Sequence, residues 1–578
     1  MTDLLALHPA DRVADFRARG WWTDETVQGL LDAQVAARPD RLALVDPANK
    51  AALTGGPPRR LTWGELDDEV TALAARFLDL GLGPGDLLGV QLPNSVELVE
   101  VYLAAWRIGV AVSPLPVQYR EHEVRDLAEQ ARFRVFVSCA RLGDRSPAAE
   151  LAGYADALPG LAHLVALGDP AATADADPAE LPDRVEAVPT GPASDADRAA
   201  VAAHVAAHPA DPNACLTVCW TSGTESRPKG VPRCAYDWLA ICWATVDAPR
   251  MTADDVLLNP FPMINMAGIN GMFLPWLRTG AVLVQHQPFD VPVFLGQIAT
   301  EGVTYTVAPP ALLTVLLQDE ALLERVDLST LTRIGSGSTP LSPTMVRGWA
   351  DRGIAIINFF GSNEGVALLS DPHDVPDPEQ RARYFPRFGA PGTTWTTRVA
   401  DWVGVRLVDP ATGEEVTGPG TPGELRLSGP TVFAGYLDGD RRPSPFDETG
   451  ALRTGDVFEI AGERQEFLRY VDRAKDLVIR GGMNIAPAEL EGLIGAHPAV
   501  ADVAVVGYPD DVLGERVAAV VVPRAGATLT LEELVDFLRE QRIASYKLPE
   551  KLELRTELPR NPVGKVLKRE LRAEQVAP

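Results

Sequence analysis

The chain has 578 residues, more than one hydrophobic core usually supports, so we expect at least two domains. Its 46% hydrophobic and 23% charged residues are typical of a globular protein, and its formal net charge of −26 repels nucleic-acid phosphates and anionic membranes, which argues against both as partners. Five cysteines, the lack of a basic region before an apolar stretch at the start, and the lack of a run of roughly 18 apolar residues predict a cytoplasmic protein without a signal peptide or membrane span.

The N-terminal part predicts alternating helices and strands. Thr62 and Glu65 form a capping-box pattern, which predicts a helix that ends near Leu80. A buried strand at residues 87–92, a helix and a second strand at residues 110–114 follow. This strand–helix–strand rhythm is typical of an α/β fold with a parallel sheet.

Residues 147–212 are rich in Ala, Asp and Pro, and residues 169–197 lack aromatic residues and show little periodicity. We expect this region to be a solvated surface excursion. An apolar, β-prone run at residues 215–219 follows and predicts a buried strand. Cys215 and Cys219 lie four residues apart in this run, and we interpret them as core thiols rather than metal ligands.

The predicted strand leads into the loop Trp220-Thr221-Ser222-Gly223-Thr224-Glu225-Ser226-Arg227-Pro228-Lys229-Gly230-Val231. Glycines let a backbone approach a ligand closely, hydroxyls and amides donate hydrogen bonds, and a lysine supplies positive charge, so such a loop can wrap a polyphosphate. It is not a Walker loop, because no Gly-Lys-Ser/Thr sequence ends it. A polar turn after a strand is the alternative interpretation. The candidate phosphate ligands are Thr221, Ser222, Gly223, Thr224 and Lys229.

This loop resembles the phosphate-binding motif of the adenylate-forming superfamily, Thr-Ser-Gly-Ser/Thr-Thr-Gly-x-Pro-Lys-Gly. The superfamily includes acyl-CoA synthetases, adenylation domains of nonribosomal peptide synthetases and beetle luciferases. Glu225 and Ser226 stand where Thr and Gly are usual. A carboxylate repels phosphates unless a cation intervenes, so Glu225 either points away or faces Mg²⁺.

The resemblance covers nearly the whole chain, with the motifs in the expected order. It implies an α/β fold with a large N-terminal domain of several subdomains, residues 1–471, and a small, mobile C-terminal α/β domain, residues 472–578. For the second domain the pattern itself predicts helices at residues 487–494 and 531–539 and strands at residues 503–506 and 517–522.

Residues 257–268 are apolar, with Asn265 and Gly268 inserted, and by themselves predict the start of a core helix. Their position resembles the family segment Pro-Leu-x-His-x-x-Gly, which lines the carboxylic acid pocket. Asn265 replaces the histidine, so the resemblance implies an apolar pocket with one amide available to a substrate oxygen. Met266 follows where dihydroxybenzoate and salicylate activators have asparagine, which argues against those two acids. Gly337, in a segment similar to the family's Gly-Gly-Ala-Pro-Leu loop, is assigned to the same pocket.

The nucleotide site is implied by three further similarities. The Gly-Gly-Ala-Pro-Leu-like loop lies between the acyl pocket and the adenine, and Phe360 to Glu364 resemble the motif Tyr-Gly-x-Thr-Glu. There Phe360 keeps an aromatic face for adenine, Asn363 replaces Thr, and Glu364 is the candidate Mg²⁺ ligand, because Mg²⁺ prefers carboxylate and phosphate oxygens. Asp456 matches the family aspartate that accepts hydrogen bonds from the ribose hydroxyls. The predicted ATP-binding residues outside the phosphate loop are Ser338, Thr339, Phe360, Gly361, Asn363, Asp456 and Arg473.

Residues 470–485 are dense in charge and then in glycine, which by itself predicts a solvated linker followed by a strand and a turn. They resemble the family's domain junction, which implies that Arg473 contacts ribose or phosphate and that Lys475 is the hinge. Gly481 and Gly482 would let a pantetheine arm pass close to the backbone. Lys565 falls on a Pro-x-x-x-x-Gly-Lys loop, whose lysine bridges the carboxylate and the α-phosphate during adenylation.

The resemblance implies a two-step acid–thiol ligase. Mg²⁺-ATP and a small carboxylic acid give an acyl-adenylate and pyrophosphate, and a thiol, in the first instance coenzyme A, then takes the acyl group. Lys565, Glu364 and Lys229 are the predicted catalytic residues. Loading of a carrier-protein pantetheine is the close alternative, which the acidic charge disfavours, since carrier proteins are themselves acidic. A non-catalytic relative that only binds nucleotide or acyl ligand is a third, motivated by the substitutions at Glu225, Asn265 and Asn363, although the retained Lys565, Glu364 and Asp456 argue against it. Nothing favours a luciferase-type oxygenase.

Overall fold

The computed structural model describes residues 4–167, 181–221, 228–410, 412–439, 443–480, 483–510, 512–541, 543–561 and 564–576. They form a mixed α/β structure with a large N-terminal domain and a small C-terminal domain, as predicted. Among the helices in these ranges, not one combines the length and the apolar character needed to cross a bilayer.

Within these ranges the strands are β1 Leu42–Val45, β2 Arg60–Thr62, β3 Leu87–Gln91, β4 Ala111–Pro114, β5 Val135–Cys139, β6 His163–Leu167, β7 Val185–Val188, β8 Cys215–Thr221, β9 Lys229–Cys234, β10 Val256–Asn259, β11 Val282–Gln285, β12 Tyr305–Val307, β13 Arg333–Gly337, β14 Ala355–Ser362, β15 Val366–Ser370, β16 Tyr384–Pro386, β17 Gly404–Val408, β18 Gly423–Ser428, β19 Leu452–Ala461, β20 Phe467–Arg473, β21 Val478–Arg480, β22 Met483–Ile485, β23 Val500–Asp510, β24 Gly514–Pro523 and β25 Lys551–Leu554.

The helices of the same ranges are α1 Ala10–Ala18, α2 Val27–Ala37, α3 Lys50–Leu53, α4 Trp63–Asp79, α5 Val96–Arg107, α6 Glu121–Ala131, α7 Pro147–Ala152, α8 Asp195–Ala207, α9 Ala235–Asp247, α10 Met266–Gly268, α11 Leu274–Thr279, α12 Val291–Glu301, α13 Pro310–Gln318, α14 Glu320–Leu323, α15 Pro343–Ala350, α16 Pro378–Arg383, α17 Pro487–Ile494, α18 Leu531–Glu540 and α19 Lys568–Val576.

Two large sheets dominate the N-terminal domain. One has the order β15-β14-β13-β12-β10-β11-β1-β2 and is parallel from β14 to β1, with antiparallel edge strands. The other has the order β7-β6-β5-β3-β4-β8-β9 and is parallel except for β9. An antiparallel sheet, β16-β20-β19-β18-β17, completes this domain. Parallel strands connected by helices place their carboxyl ends at one edge, where ligands bind in such folds.

Local sequence explains how the helices that pack on these sheets begin. Thr62 and Glu65 form the predicted capping box at the start of α4, with Thr62 Oγ1 accepting from the Glu65 amide at 3.2 Å and Glu65 Oε2 accepting from the Thr62 amide at 2.8 Å. Such a cap stabilises a helix by about 1 kcal/mol. Trp63 of α4 stacks on Trp276 of α11 with ring centroids 4.7 Å apart, and both are fully buried.

The expectation of a solvated excursion at residues 147–212 is wrong for much of that region. Strands β6 and β7 extend the parallel sheet beyond β5, and Leu164 and Val165 are buried in it. The composition misled because alanines and aspartates surround short strands, which become strands by pairing with β5 and with each other. Residues 168–180 lie outside the described residues.

The predicted strand before the phosphate loop is β8, and its cysteines are buried thiols, as expected. Burial raises the pKa of Cys219 to about 12, so the thiol stays protonated near neutral pH.

The C-terminal domain has a sheet in which β21, β24 and β23 are neighbours, β22 pairs with β21, and β25 pairs with β24. Its predicted helices and strands are all present. The expectation that the charged junction begins as a solvated linker is wrong up to Arg473, because these residues continue β20 of the preceding sheet.

Candidate active site

Lys229 begins β9, directly across from Thr221, the last residue of β8. The phosphate loop therefore leaves and re-enters the sheet at neighbouring positions. Its central residues, including Ser222, Gly223, Thr224 and Glu225, lie outside the described residues. The structure thus fixes both ends of this loop at the carboxyl end of β8.

Lys229 and Glu364 both contact Tyr436. The Lys229 ammonium lies 5.2 Å from the centroid of the Tyr436 ring, and the Tyr436 hydroxyl donates to Glu364 Oε1 at 3.1 Å. All three residues are half-buried. A cation over the face of an aromatic ring is attracted by it, so Tyr436 orients both charged groups.

The segment that carries Tyr436 is tied to the strands on both sides. The Phe433 amide donates to the Glu364 carbonyl at 3.1 Å, and the Leu437 amide donates to the Gly230 carbonyl at 2.9 Å. The sequence alone gave Tyr436 no role. The signal that could have found it is an aromatic residue with a polar tip directly after a glycine.

Asn363 connects the predicted nucleotide and acyl regions. Its Oδ1 accepts from the Met266 amide at 2.8 Å, and its backbone carbonyl accepts from Arg233 Nη1 at 2.7 Å. The turn before Glu364 is therefore bonded to the first residue of α10.

Asn265 is the N-cap of α10, where its Oδ1 accepts from the amides of Ala267 and Gly268 at 3.0 and 3.4 Å. Because that oxygen already accepts hydrogen bonds from the helix, it is the amide nitrogen of the side chain that can donate a hydrogen bond to a substrate oxygen. The helix continues through a π-helical turn at Ile269–Phe273, a feature that often occurs at functional sites.

Gly268 and Gly337 are glycines because the backbone around them leaves no room. A Cβ on Gly268 would lie 2.3 Å from the Pro262 carbonyl oxygen, and one on Gly337 would lie 2.1 Å from the Phe359 carbonyl oxygen. Both residues therefore shape the predicted acyl region by allowing close approach of neighbouring segments.

Asn94 holds the segment before α10 in place and was given no role by the sequence reasoning. It is fully buried, its Nδ2 donates to the Phe261 carbonyl at 2.8 Å, and its Oδ1 accepts from the Met263 amide at 3.1 Å. One amide side chain thus links the loop after β3 to the entrance of the acyl region.

Ser338 and Thr339 are exposed at the carboxyl end of β13, next to β14. Ser338 has φ +72°, a left-handed conformation that favours glycine and that costs a residue with a side chain about 1 kcal/mol or more. Strain of this kind concentrates at ligand-binding sites.

Phe360 is half-buried near the end of β14, and Gly361 after it is exposed. The Phe360 ring packs edge-on against Phe458, with ring centroids 4.9 Å apart, and also lies near the rings of Phe385 and Tyr470. These contacts fix the orientation of the ring within an aromatic cluster.

Asp456 and Arg473 face each other on β19 and β20 and form an ion pair of 3.1 Å. Burial raises the pKa of Asp456, while Arg473 and Lys565 oppose this rise, and Glu364 adds to it. The electrostatic influence of Lys565 and Glu364 on this carboxyl places all four charges in one neighbourhood.

Lys565 reaches this neighbourhood from the C-terminal domain. Burial of its ammonium and, next, the charge of Arg473 lower the pKa of Lys565 to about 8, although Asp456 and Asp476 oppose the shift. The residue as a whole is exposed, so solvent screening limits the effect.

Lys475 is exposed in the turn after β20. Its carbonyl accepts from Arg572 Nη1, and the Asp476 carbonyl accepts from Arg572 Nη2, both at 2.7 Å. The last helix of the chain therefore contacts the predicted hinge. Gly481 and Gly482 lie outside the described residues, between β21 and β22.

A cavity of about 200 Å³ lies elsewhere in the described part of the chain, and its lining includes no predicted site residue. Lys50, Arg59 and Glu97 line it and form ion pairs with one another or with neighbouring acids. We assign this cavity no part in the candidate active site.

Two family models match the chain. One, described as AMP-binding enzyme, matches residues 31–437, and the other, described as AMP-binding enzyme C-terminal domain, matches residues 489–565.

Similar proteins include the indoleacetate–CoA ligase of Aromatoleum aromaticum, 31% identical over 535 residues that cover 92% of this chain and 96% of that protein. They also include the salicyl-AMP ligase/salicyl-S-ArCP synthetase of Mycobacterium tuberculosis, which is 32% identical over 580 residues that cover 97% of this chain and 93% of that protein. Among solved structures, ATP-bound MatB from Rhodopseudomonas palustris matches with a TM-score of 0.76 at 28% identity and covers 95% of this chain and 99% of that chain. Because the first family model matches well over half of its residues, this chain belongs to the AMP-binding enzyme family of adenylate-forming ligases.

Proposed function

We propose that this protein activates a small carboxylic acid with ATP to an acyl-adenylate and then transfers the acyl group to the thiol of coenzyme A. The observation that carries the proposal is the 3.1 Å Asp456–Arg473 ion pair together with Lys229 and Glu364, which both contact Tyr436. Lys565 comes from the C-terminal domain, and its charge acts on Asp456. A positive charge brought to a prepared pocket by a separate domain suits a reaction whose transition state gathers negative charge.

The residues present fit Mg²⁺-ATP. The Glu364 carboxylate offers the oxygen ligand that Mg²⁺ prefers, and Lys229, Arg473 and Lys565 offer the positive charge that a triphosphate needs. Asp456, an acceptor beside Arg473, suits two ribose hydroxyls. When bound next to Glu364, Mg²⁺ would screen the charges of the phosphate oxygens.

In the first half-reaction the substrate carboxylate attacks the α-phosphorus of ATP, and pyrophosphate leaves. Lys229 and the ends of the phosphate loop hold the β- and γ-phosphates, while Asp456 and Arg473 orient the ribose. Lys565 donates hydrogen bonds to the carboxylate and the α-phosphate, so the two anions can approach each other. Phe360 supports the adenine face, with Gly361 leaving space beside it, and Ser338 and Thr339 contribute polar contacts from β13.

In the second half-reaction a thiolate attacks the acyl carbonyl and AMP leaves. We place the domain boundary at residues 471–472 and the hinge at Lys475, so that rotation of the C-terminal domain withdraws Lys565 and brings Gly481 and Gly482 to the pantetheine arm. Rotation is needed because one enclosed pocket cannot serve both the triphosphate and the incoming thiol.

The acid pocket lies beside α10. Asn265 donates its amide N–H to a substrate oxygen, while Met266, Gly268 and Gly337 give the pocket an apolar wall. Asn363 couples this wall to the nucleotide side, because its Oδ1 holds the Met266 amide. These features favour an acid with a largely apolar body.

Loading of a carrier protein is a second candidate for the thiol step. It is supported by the similarity to the salicyl-AMP ligase/salicyl-S-ArCP synthetase, whose name records a carrier as acceptor. The net charge of −26 disfavours it, because carrier proteins are themselves acidic.

The experiment that tests the proposal is pyrophosphate release from ATP with a panel of aromatic, alicyclic, polycyclic and medium-chain acids, each with and without coenzyme A. We expect at least one acid to release pyrophosphate, and coenzyme A to increase turnover while a thioester appears. Adenylate formation without any thioester in the presence of coenzyme A would favour the carrier acceptor. If none of the acids in the panel causes pyrophosphate release, the proposal is contradicted.

Replacing Tyr436 with phenylalanine should lower kcat/KM for ATP in pyrophosphate release roughly 10-fold, because Glu364 loses the hydroxyl that orients it. The ring beside Lys229 is retained. Tyr384→Phe, in β16 and stacked on Phe467, is the matched control and should leave kcat/KM unchanged. If kcat/KM for ATP is the same in both variants, Tyr436 is not part of the active site.

The pH profile of the same reaction should reflect Lys565. A lysine needed as its ammonium, with a pKa of about 8, loses its proton as the pH rises through that value. We therefore expect kcat/KM for ATP to be level from pH 6.5 to 7.5 and to fall about tenfold per pH unit well above pH 8. A profile that stays level to pH 10 would contradict this assignment.

A further inference from the structure

We propose that an N-terminal arm, residues 4–22, acts as a positioning device for Glu364. The arm precedes residue 31, where the match to the family model begins. It reaches the active site through the backbone of residues 429–432, which lies between the arm and the Glu364 turn. The inference deepens the proposed function and rests on it, because that function gives Glu364 its role.

The arm holds residues 429–432 by their carbonyl groups. Arg12 Nη2 donates to the Val432 carbonyl at 2.9 Å and to the Gly429 carbonyl at 3.2 Å. The indole N–H of the buried Trp22 donates to the Pro430 carbonyl at 3.0 Å. Three carbonyl groups of one short segment thus receive hydrogen bonds from two side chains of the arm.

Residues 429–432 also pack directly against the turn that carries Glu364. A Cβ on Gly365, which has φ +113°, would lie 2.1 Å from the Thr431 carbonyl oxygen. The amide of the next residue but one, Phe433, donates to the Glu364 carbonyl at 3.1 Å. With no free space between the two backbones, a shift of residues 429–432 moves Glu364.

Arg233 joins this arrangement to the strand that begins with Lys229. Its side chain is fully buried, Nη2 donates to the Thr431 carbonyl at 2.9 Å, and Nη1 donates to the Asn363 carbonyl at 2.7 Å. One guanidinium therefore bonds both the supporting segment and the turn before Glu364.

The arm also contacts Asp237, the buried carboxylate that pairs with Arg233. His8 Nε2 lies 2.7 Å from Asp237 Oδ1, and Asp237 Oδ2 lies 3.3 Å from Arg233 Nε, with all three side chains fully buried. Burial alone would raise the pKa of Asp237, but His8 and Arg233 outweigh it and lower that pKa. Although His8, Cys234 and Asp237 could face a metal ion, the adjacent guanidinium repels a cation, so we interpret the cluster as an ion-pair network.

The test compares Arg12→Gln with Arg17→Gln in the full chain. Both residues lie on α1, but Arg17 pairs with Asp24 in an exposed ion pair and does not support residues 429–432 in the structure. We expect Arg12→Gln to raise the hydrogen-exchange rate of the Phe433 amide about 10-fold in the ligand-free protein. We also expect the Mg²⁺ concentration for half-maximal pyrophosphate release to rise about 10-fold. Thioester formation from supplied acyl-adenylate should stay unchanged, and Arg17→Gln should match the wild type in all three measurements.

Trp22→Phe keeps an aromatic ring on Tyr236 but removes the indole N–H, and it serves as a second variant if Arg12→Gln does not fold. The inference is overturned if the variants that fold, Arg12→Gln or Trp22→Phe, show the wild-type exchange rate of the Phe433 amide. It is also overturned if they show the wild-type Mg²⁺ response. If the wild type releases no pyrophosphate, the proposed function fails, whereas the exchange rate still reports whether the arm supports the Glu364 turn.

Discussion

Replacing Lys565 with alanine should lower adenylate formation by about 10³-fold, while thioester formation from supplied acyl-adenylate stays within about twofold of the wild type. In the proposed mechanism Lys565 assists only the attack on the α-phosphorus, because rotation of the C-terminal domain withdraws it before the thiol arrives. The first quantity is measured by pyrophosphate release and the second by single-turnover thioester formation.

Lys551→Ala is the matched control for that experiment. Lys551 also lies in the C-terminal domain, in β25, but its ammonium sits 5.7 Å from the Tyr508 ring. It should leave both half-reactions unchanged. An equal loss of both half-reactions in Lys565→Ala would mean that the lysine supports the domain rather than the first step.

Glu364→Gln should raise the Mg²⁺ concentration needed for half-maximal pyrophosphate release at least 10-fold, because an amide is a weaker ligand for a hard cation than a carboxylate. The variant keeps an oxygen that can accept from the Tyr436 hydroxyl, so the local fold should be retained. A Mg²⁺ titration at saturating ATP and acid measures the effect.

Glu379→Gln provides the comparison for Glu364→Gln, because Glu379 is exposed on α16 and pairs with Arg347. It should titrate like the wild type. If Glu364→Gln also titrates like the wild type, Glu364 does not bind the ion and the magnesium site lies elsewhere.

Local signals predicted much of the fold. The Thr62–Glu65 capping box begins α4, and the predicted helix at residues 487–494 agrees with α17 at both ends. Both depend on residues within one or two turns, where side-chain chemistry decides the backbone conformation. By contrast, β6 and β7 depend on partners elsewhere in the sheet, so composition alone indicated a solvated region instead.

In the candidate site, too, some residues could be predicted from the sequence and others could not. Motif order led to Lys229, Glu364, Asp456 and Lys565. In the structure Lys229 and Glu364 both contact Tyr436, and the charge of Lys565 acts on Asp456. The supporting residues were not predicted. Arg233 has no local pattern, because its partners Asn363 and Thr431 lie 130 and 198 residues further along the chain.

The N-terminal arm shows why such support is hard to find in a sequence. His8, Arg12 and Trp22 look like ordinary surface or core residues of a short helical stretch. Their importance appears only in the fold, which brings Arg12 and Trp22 to residues 429–432, about 400 positions away, and His8 to Asp237. Long-range polar contacts of this kind leave no periodicity in the chain.

The central claim is that the substrate carboxylate attacks the α-phosphorus of ATP. It is tested most directly with a carboxylic acid labelled with ¹⁸O at both oxygens, followed by mass spectrometry of the nucleotide after thioester formation. The account predicts AMP carrying one ¹⁸O for each thioester formed, because the bridging oxygen stays on phosphorus when the thiol displaces AMP. Unlabelled AMP, or ADP with labelled inorganic phosphate, would contradict it.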